Sequence, residues 1–391
     1  MMISSAPYRL YILLAALLLG LGACSSSKYA ELDAPERLAQ SDAARQPEAY
    51  GYSVFLVGDA GDAGLDPLPG TLRVLRDKMQ ESSSPGAMVF LGDNLYPDGL
   101  PPEDHERRAE LEQRLLAQIE AVRDFEGPVY FIAGNHDWAS TGEAEPSYVL
   151  RQERFIETHL DKGNSFQPDN ALPGPSVVTL IDEEEAAGPG YDIHLMMIDS
   201  QWWIHPDEKP LPDGTESEDE AKELLLERIG NHMEELQGQE VLFALHHPLY
   251  SFGRHGSKFP LSTHLKPPVF GSLYAFYRST VGYPQDISHR NYSALKEGIL
   301  DAAAGHDDLI FASGHEHSLS FIPVQKNGRQ YHQIVSGSGT RKSYVRKKDG
   351  PVHTFETMGL AILRYYPDRS KRIELYTDEG EKVLDKAFLS R

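Results

Sequence analysis

The chain has one cysteine, Cys24, in 391 residues. An intrachain disulfide is therefore excluded, and so is any metal site built from several thiolates. Long apolar runs are scarce as well. The uncharged, leucine-rich stretch Leu10 to Leu21 falls short of the ~20 residues that an ordinary membrane helix needs. Basic residues are the minority, 37 against 59 acidic, and the formal net charge of -22 makes the surface as a whole repel nucleic acid and anionic headgroups. There is no P-loop and no serine paired with a base, so NTP-dependent and covalent schemes have no residues to use. No internal repeat is visible. What the chain does have is 40% hydrophobic residues, enough for one large domain or two ordinary ones.

The first segment reads as an address rather than as structure. Arg9 precedes the short apolar run, and the run ends in Leu21-Gly22-Ala23-Cys24. That ending resembles the bacterial lipobox, where cleavage precedes a cysteine that then carries lipid. Residues 1–23 are thus expected to be a lipoprotein signal peptide. A solitary cysteine at this position fits acylation better than the packing of a small buried thiol. Several acyl chains give stable anchoring, so membrane attachment through Cys24 is expected. Ser25 stands where an aspartate would favour inner-membrane retention, which predicts an extracytoplasmic lipoprotein at the outer membrane or periplasm. Residues 24–49 hold Ser, Ala, Pro and charge without a sustained apolar period and predict a flexible tether. The folded body is then 50–391.

Within the body, apolar runs stop abruptly at a glycine or histidine followed by a polar residue. They are Val54 to Gly58, Met88 to Gly92, Val129 to Gly134, Val241 to His246 and Leu309 to Gly314, and they predict buried strands. Helix-like segments lie between them, such as Glu103 to Val122 and Glu218 to Leu236. Alternation of this kind predicts an α/β body with largely parallel pairing. The last quarter differs: Phe321 to Gln325 and Tyr331 to Val335 flank Asn327-Gly328, and Leu360 to Tyr366 and Arg372 to Tyr376 flank Asp368, which predicts antiparallel hairpins. Residues 258–292 are aromatic-rich and read as a loop-like insertion.

The strand ends carry the chemistry, because ligands of α/β sheets gather at the carboxyl edge. They read Gly58-Asp59-Ala60-Gly61, Gly92-Asp93-Asn94-Leu95-Tyr96, Gly134-Asn135-His136-Asp137, Leu245-His246-His247-Pro248 and Gly314-His315-Glu316-His317. Singly, each has a bland reading. An Asp after a strand is often a helix cap, Asn135 alone suits a turn, Tyr96 suits a paired core phenol, and two histidines at spacing two can simply bond each other. Jointly, Asp59, Asp93, Tyr96, Asn135, His246, His315 and His317 supply carboxylate, phenol, amide and imidazole donors suited to first-row metals. The set exceeds what one four-coordinate ion needs and fits two ions sharing a carboxylate. Glycine before four of these residues allows tight turns and close backbone approach.

The five motifs, in this order, resemble those of the purple acid phosphatases within the calcineurin-like metallophosphoesterase superfamily. His246-His247-Pro248-Leu249-Tyr250-Ser251, followed by Phe252-Gly253-Arg254-His255-Gly256, resembles the tartrate-resistant mammalian type in particular. The likeness spans about Tyr52 to Leu319 and is specific only at the motifs. It implies a four-layer sandwich of two mixed β-sheets flanked by helices. It also implies two metal ions: one held by Asp59, Tyr96 and His317, the other by Asn135, His246 and His315, with Asp93 bridging. A tyrosine ligand in that family accompanies Fe(III), with Fe, Zn or Mn(II) in the second position. His136 is implied to stabilise the bound phosphate, and His255 to orient the ester or protonate the leaving oxygen.

The same resemblance implies hydrolysis of phosphate monoesters by in-line attack of a metal-bound hydroxide, on a small phosphate-ester substrate. A phosphodiesterase or nucleotidase on the same centre is the alternative within enzymes. A non-catalytic, metal-binding surface lipoprotein is the alternative outside them, and its mark would be a missing ligand. His247 reads as a neighbour of the site and Asp199 as a structural hydrogen-bond acceptor. The basic run between Arg341 and Lys348 either guides anionic substrates or is a solvated loop.

Overall fold

The computed structural model describes residues 51–389 except 140–145, 186, 260, 265–269, 327 and 349. The expected signal peptide 1–23, Cys24 and the tether 24–49 lie outside the described residues, as does Asn327 of the expected hairpin turn. Among the described residues no helix is long and apolar enough to cross a membrane.

The strands are β1 (Tyr52–Val57), β2 (Gly86–Phe90), β3 (Val129–Phe131), β4 (Ser176–Ile181), β5 (Ile193–Ile198), β6 (Glu240–Leu245), β7 (Leu309–Ser313), β8 (Leu319–Lys326), β9 (Arg329–Ser336), β10 (His353–Phe355), β11 (Gly359–Tyr365), β12 (Ser370–Thr377) and β13 (Lys382–Leu389). They form two sheets, ordered β13-β12-β11-β1-β2-β3 and β10-β8-β9-β7-β6-β5-β4. Both are mixed. Strands β1, β2 and β3 are parallel in the first sheet, and β5, β6, β7 and β9 in the second. The remaining pairings are antiparallel, among them β8 with β9, where Lys326 pairs Arg329, a register that agrees with the Asn-Gly hairpin signal.

Period-two alternation divides the core. Val54, Leu56, Ala87, Val89 and Leu91 face Leu195, Met197, Leu242, Ala244, Ile310 and Ala312 of the opposite sheet. Phe55, Val57, Met88 and Phe90 point the other way, onto Leu72 and Leu75 of the helix Gly70–Gln80 and Leu111 and Leu115 of the helix Arg108–Val122. With both faces covered, a strand must be apolar throughout, which is why these runs stand out in the sequence. On the second sheet Phe243 and Phe311 meet Leu225 and Ile229 of the helix Glu218–Glu235 and Leu295 and Ile299 of the helix Arg290–Ala302. Ser217 caps the first of these by accepting from the Glu220 N–H. The result is the four-layer arrangement of helix, sheet, sheet and helix.

Two segments differ from expectation. The helix expected from Glu103 begins at Arg108, because His105 and Arg108 donate their N–H groups back to the carbonyls of Pro102 and His105 in successive turns. The segment 258–292, expected as loop-like, holds the helices Leu261–His264 and Phe270–Thr280. In the latter Ser272, Ala275 and Arg278 recur every third residue and are buried, while Leu273, Tyr274, Phe276 and Tyr277 face outward. The inward face is small and polar, so the usual apolar stripe of a surface helix is reversed and does not register as one.

Candidate metal centre

All five motifs end at one edge. β1, β2 and β3 deliver Asp59, Asp93 and Asn135 beyond their carboxyl ends, and β6 and β7 deliver His246 and His315 beyond theirs. The sheets are tied together there. His246 Nδ1 donates to the Leu91 carbonyl at 2.8 Å, and the His315 backbone N–H donates to Asp59 Oδ2 at 2.8 Å.

The donors fall into two groups. In the first, Asp59 Oδ1 lies 2.9 Å from the Tyr96 hydroxyl and 3.2 Å from His317 Nε2, and Tyr96 and His317 are themselves 3.2 Å apart. In the second, Asn135 Oδ1 lies 3.1 Å from His246 Nε2 and 3.0 Å from His315 Nδ1. Asp93 Oδ1 sits 3.5 Å from His246 Nε2 and accepts the His136 backbone N–H at 2.9 Å. Among acidic and histidine side chains alone, Asp59, Asp93 and His317 cluster closely enough to share a cation, as do His246, His247 and His315.

Second partners fix which nitrogen faces inward. His246 spends Nδ1–H on the Leu91 carbonyl, and His315 spends Nε2–H on the Gln285 carbonyl at 3.2 Å. The nitrogens turned toward Asn135 are therefore His246 Nε2 and His315 Nδ1, the ones that a metal-ligating imidazole held by its other nitrogen would offer. Burial, together with neighbouring imidazoles, pushes His315 and His247 well below the ordinary histidine value, which keeps both neutral. For Asp93, burial raises the carboxyl, but His246 and His136 outweigh it and hold it below the usual range. Burial and the carboxylates of Asp59 and Asp93 raise the Tyr96 phenol well above its ordinary value, opposed by the Arg341 guanidinium 3.7 Å from the ring centre. Buried acids, an amide oxygen and imidazoles converging in two groups are a donor set that fits a pair of cations.

The remaining expected residues are near at hand. His136 Nδ1 contacts the Pro97 carbonyl, and its ring meets Tyr96 edge-on at 4.6 Å. His255 has its ring 4.0 Å from that of His315 and keeps 27% of its side chain exposed, so the site opens to solvent beside it. Asp199 is structural: it accepts from the Trp202 N–H and from Trp138 Nε1, both at 2.9 Å. From the basic run Arg341 stacks on Tyr96 and pairs with Asp62, and the Ser343 N–H donates to the His317 carbonyl at 2.7 Å.

Several residues inside the five motifs act as supports rather than as expected donors. Asp137 accepts three backbone N–H groups, from Gly134 at 2.7 Å, Leu95 at 3.1 Å and Asn94 at 3.2 Å, and the Asn94 side-chain amide as well, and so locks the β2 and β3 ends together. Its burial and the proximity of Asp93 push its carboxyl up to about 7. Glu316 accepts from Ser251 Oγ at 2.6 Å and the Gly256 N–H at 3.0 Å, clamping the turn that bears His255. His247 is also closer to the centre than a mere neighbour. Its Nδ1 lies 2.8 Å from Ser200 Oγ, its Nε2 is buried without a partner among the described residues, and its ring is 4.3 Å from that of His315. A cavity of about 870 Å³ lined by Tyr52, Arg76, Gly86 and Pro128 opens at the opposite, amino ends of β1 and β2 and takes no part in this chemistry.

A two-sheet α/β sandwich gathering acid, amide and imidazole donors at the carboxyl ends of its parallel strands defines a metal-dependent phosphoesterase. The chain belongs to the calcineurin-like phosphoesterase family, whose model matches residues 52–319. No curated protein sequence matches it. Among solved structures it is similar to GAP50, the anchor in the inner membrane complex of Plasmodium, at 12% identity and a TM-score of 0.54, over 87% of this chain and 89% of that one. A purple acid phosphatase from seeds of yellow lupin (Lupinus luteus) aligns at 15% identity and a TM-score of 0.47, over 86% of this chain and 53% of that one. A 5'-nucleotidase precursor from Thermus thermophilus aligns at 10% identity and a TM-score of 0.36, over 86% and 54%.

Proposed function

We propose that this protein is a dinuclear-metal phosphatase of the purple acid phosphatase type, acting on small phosphate monoesters. One observation carries the reading: the donors form two groups, Asp59–Tyr96–His317 and Asn135–His246–His315, with Asp93 beside His246. Each group would hold one cation, with Asp93 between them, and Tyr96 favours Fe(III) in the first position with Fe, Zn or Mn(II) in the second. Two such ions supply Lewis-acid chemistry, lowering the pKa of water and neutralising charge on phosphate. They also explain how a chain of net charge -22 attracts an anionic substrate.

The protein's own groups do the rest. His136, held by Pro97, stabilises charge on the phosphate oxygens, and His255, at the solvent-facing side, protonates the leaving oxygen. Attachment through lipid on Cys24, outside the cytoplasm, is part of the same proposal and rests on the lipobox-like sequence. A non-catalytic surface lipoprotein would be expected to lack a donor, and the seven expected donors are all present in the cluster.

The test is a panel of phosphate mono- and diesters, with metal analysis, on protein lacking Met1 to Cys24. Monoester turnover with two metal ions per chain is expected. In Asp93→Ala and His246→Ala, phosphate release should fall by at least about a hundredfold and bound metal should decrease. Full turnover by a metal-free preparation would sink the reading, and a diester preference would move it to the phosphodiesterase alternative.

A further inference from the structure

The aromatic segment reaches the site through one buried carboxylate. Asp286 is fully buried and joins two partners: it accepts from His255 Nδ1 at 3.1 Å and from Arg278 Nε at 2.6 Å, with the Arg278 Nη2 also in contact. The Tyr283 N–H donates to the same carboxylate at 2.9 Å, and the Ile287 N–H donates to the His255 carbonyl at 3.0 Å. Arg278 is in turn packed between the rings of Tyr283 at 5.2 Å, Phe259 at 5.6 Å and Tyr274 at 5.7 Å. The adjacent Gln285 carbonyl is the group that fixes His315. One dipeptide, Gln285-Asp286, thus orients two imidazoles of the site.

Resting on the phosphatase reading, we infer that Asp286, held by Arg278, is the positioning residue that fixes His255 for proton delivery to the leaving group. The carboxylate accepts Nδ1–H, so Nε2 is the nitrogen left to carry the transferred proton. As an oxygen from water bonds to phosphorus and the ester P–O bond breaks, the Nε2–H proton passes to the departing alkoxide oxygen, giving the alcohol and inorganic phosphate. The ring ends neutral, with Nδ1–H still bonded to Asp286. Burial raises an acid, yet the bonds from His255 and Arg278 hold Asp286 below the usual carboxylate range, consistent with a permanent acceptor. Without that acceptor the ring can flip or change tautomer, as when the orienting acid of a catalytic histidine is lost.

A leaving group that needs no proton should be indifferent to this residue. Asp286→Asn is therefore compared with wild type on p-nitrophenyl phosphate and on an alkyl phosphate, alongside His255→Ala and the double variant. For the alkyl ester kcat should fall about tenfold or more with KM within about threefold, and for the aryl ester kcat should change by less than about threefold. Metal content should be unchanged, and the double variant should be no slower than His255→Ala alone. Equal losses on both esters, or additive losses in the double variant, would overturn the inference while leaving the phosphatase reading intact. Wild-type protein inert toward both esters would overturn both. If Asp286→Asn does not fold, Asp286→Glu keeps the charge but moves the carboxylate by one methylene, and the same two-ester comparison applies to it with the same criteria.

Discussion

Asp59, Asp93 and His315 have φ values of 59°, 54° and 67°, a left-handed region that residues with a Cβ enter only at a cost. Of the glycines preceding the donors, only Gly92 shares it, at 86°. The tight turns expected of those glycines therefore fall mostly on the donors themselves. What the glycines supply is room. A Cβ on Gly134 would stand 2.3 Å from both the backbone nitrogen and Oδ1 of Asp93, and one on Gly314 would stand 2.6 Å from Asp59 Oδ2. Backbone and carboxylate cannot both retreat in so crowded a place, so Gly134→Ala should displace Asp93. Misplacement by about 1 Å is enough to cost on the order of a hundredfold in rate. Metal content after gel filtration, with circular dichroism as the check on folding, decides the point: a folded variant with its metals intact would show that the contact is relieved elsewhere.

Among the elements, the parallel strands were legible because burial on both faces makes them continuous apolar runs, and because the five runs that reach the centre break into a Gly-Asp, Gly-Asn, Gly-His or His-His step. Three of the four edge strands, β4, β10 and β13, were not. β4 is partly exposed along most of its length, β10 has three residues, and β13 mixes Lys382, Asp385 and Lys386 with apolar residues in no regular alternation. Asp286 was illegible for another reason: its partner His255 lies 31 positions away, and nothing near Asp286 in sequence announces a site. β9 carries a less visible feature. His332 is fully buried between Phe321 of β8, at 5.6 Å, and Phe388 of β13, at 4.5 Å, across the seam between the sheets. Burial, with Lys371 adding to it, lowers this imidazole from 6.5 to about 3. The folded state then binds fewer protons than the unfolded chain between those values. Stability therefore rises with pH there and is lost as pH falls from about 6.5 toward 3, by ~1.4 kcal/mol for each pH unit crossed. Replacing it by Phe removes the penalty, and the acid-unfolding midpoint followed by circular dichroism should move to lower pH. A midpoint that stays put would mean that carboxylates alone govern acid unfolding.

At the scale of the whole molecule, the centre is a joint as well as a site. Asp59, Asp93, Tyr96 and Asn135 follow strands of the first sheet, whereas His246, His315 and His317 follow strands of the second. Each proposed cation draws ligands from both, so bound metal would cross-link the sandwich at its carboxyl edge, where the inter-sheet apolar core gives way to polar side chains. The sequence shows the donors but not this division, because the order of strands within each sheet emerges only from pairing between distant segments. A ligand that binds the folded chain alone, present at about a thousand times its dissociation constant, stabilises it by ~4 kcal/mol. Removing metal with a chelator should therefore lower the thermal midpoint by several degrees, and restoring Fe, Zn or Mn should recover it. In Asp93→Ala, which lacks the proposed bridge, the gap between metal-loaded and chelated midpoints should shrink. If chelation leaves the wild-type midpoint unmoved while removing both ions, the sheets are held by their apolar interface alone, and the cross-linking role is wrong even where catalysis depends on metal.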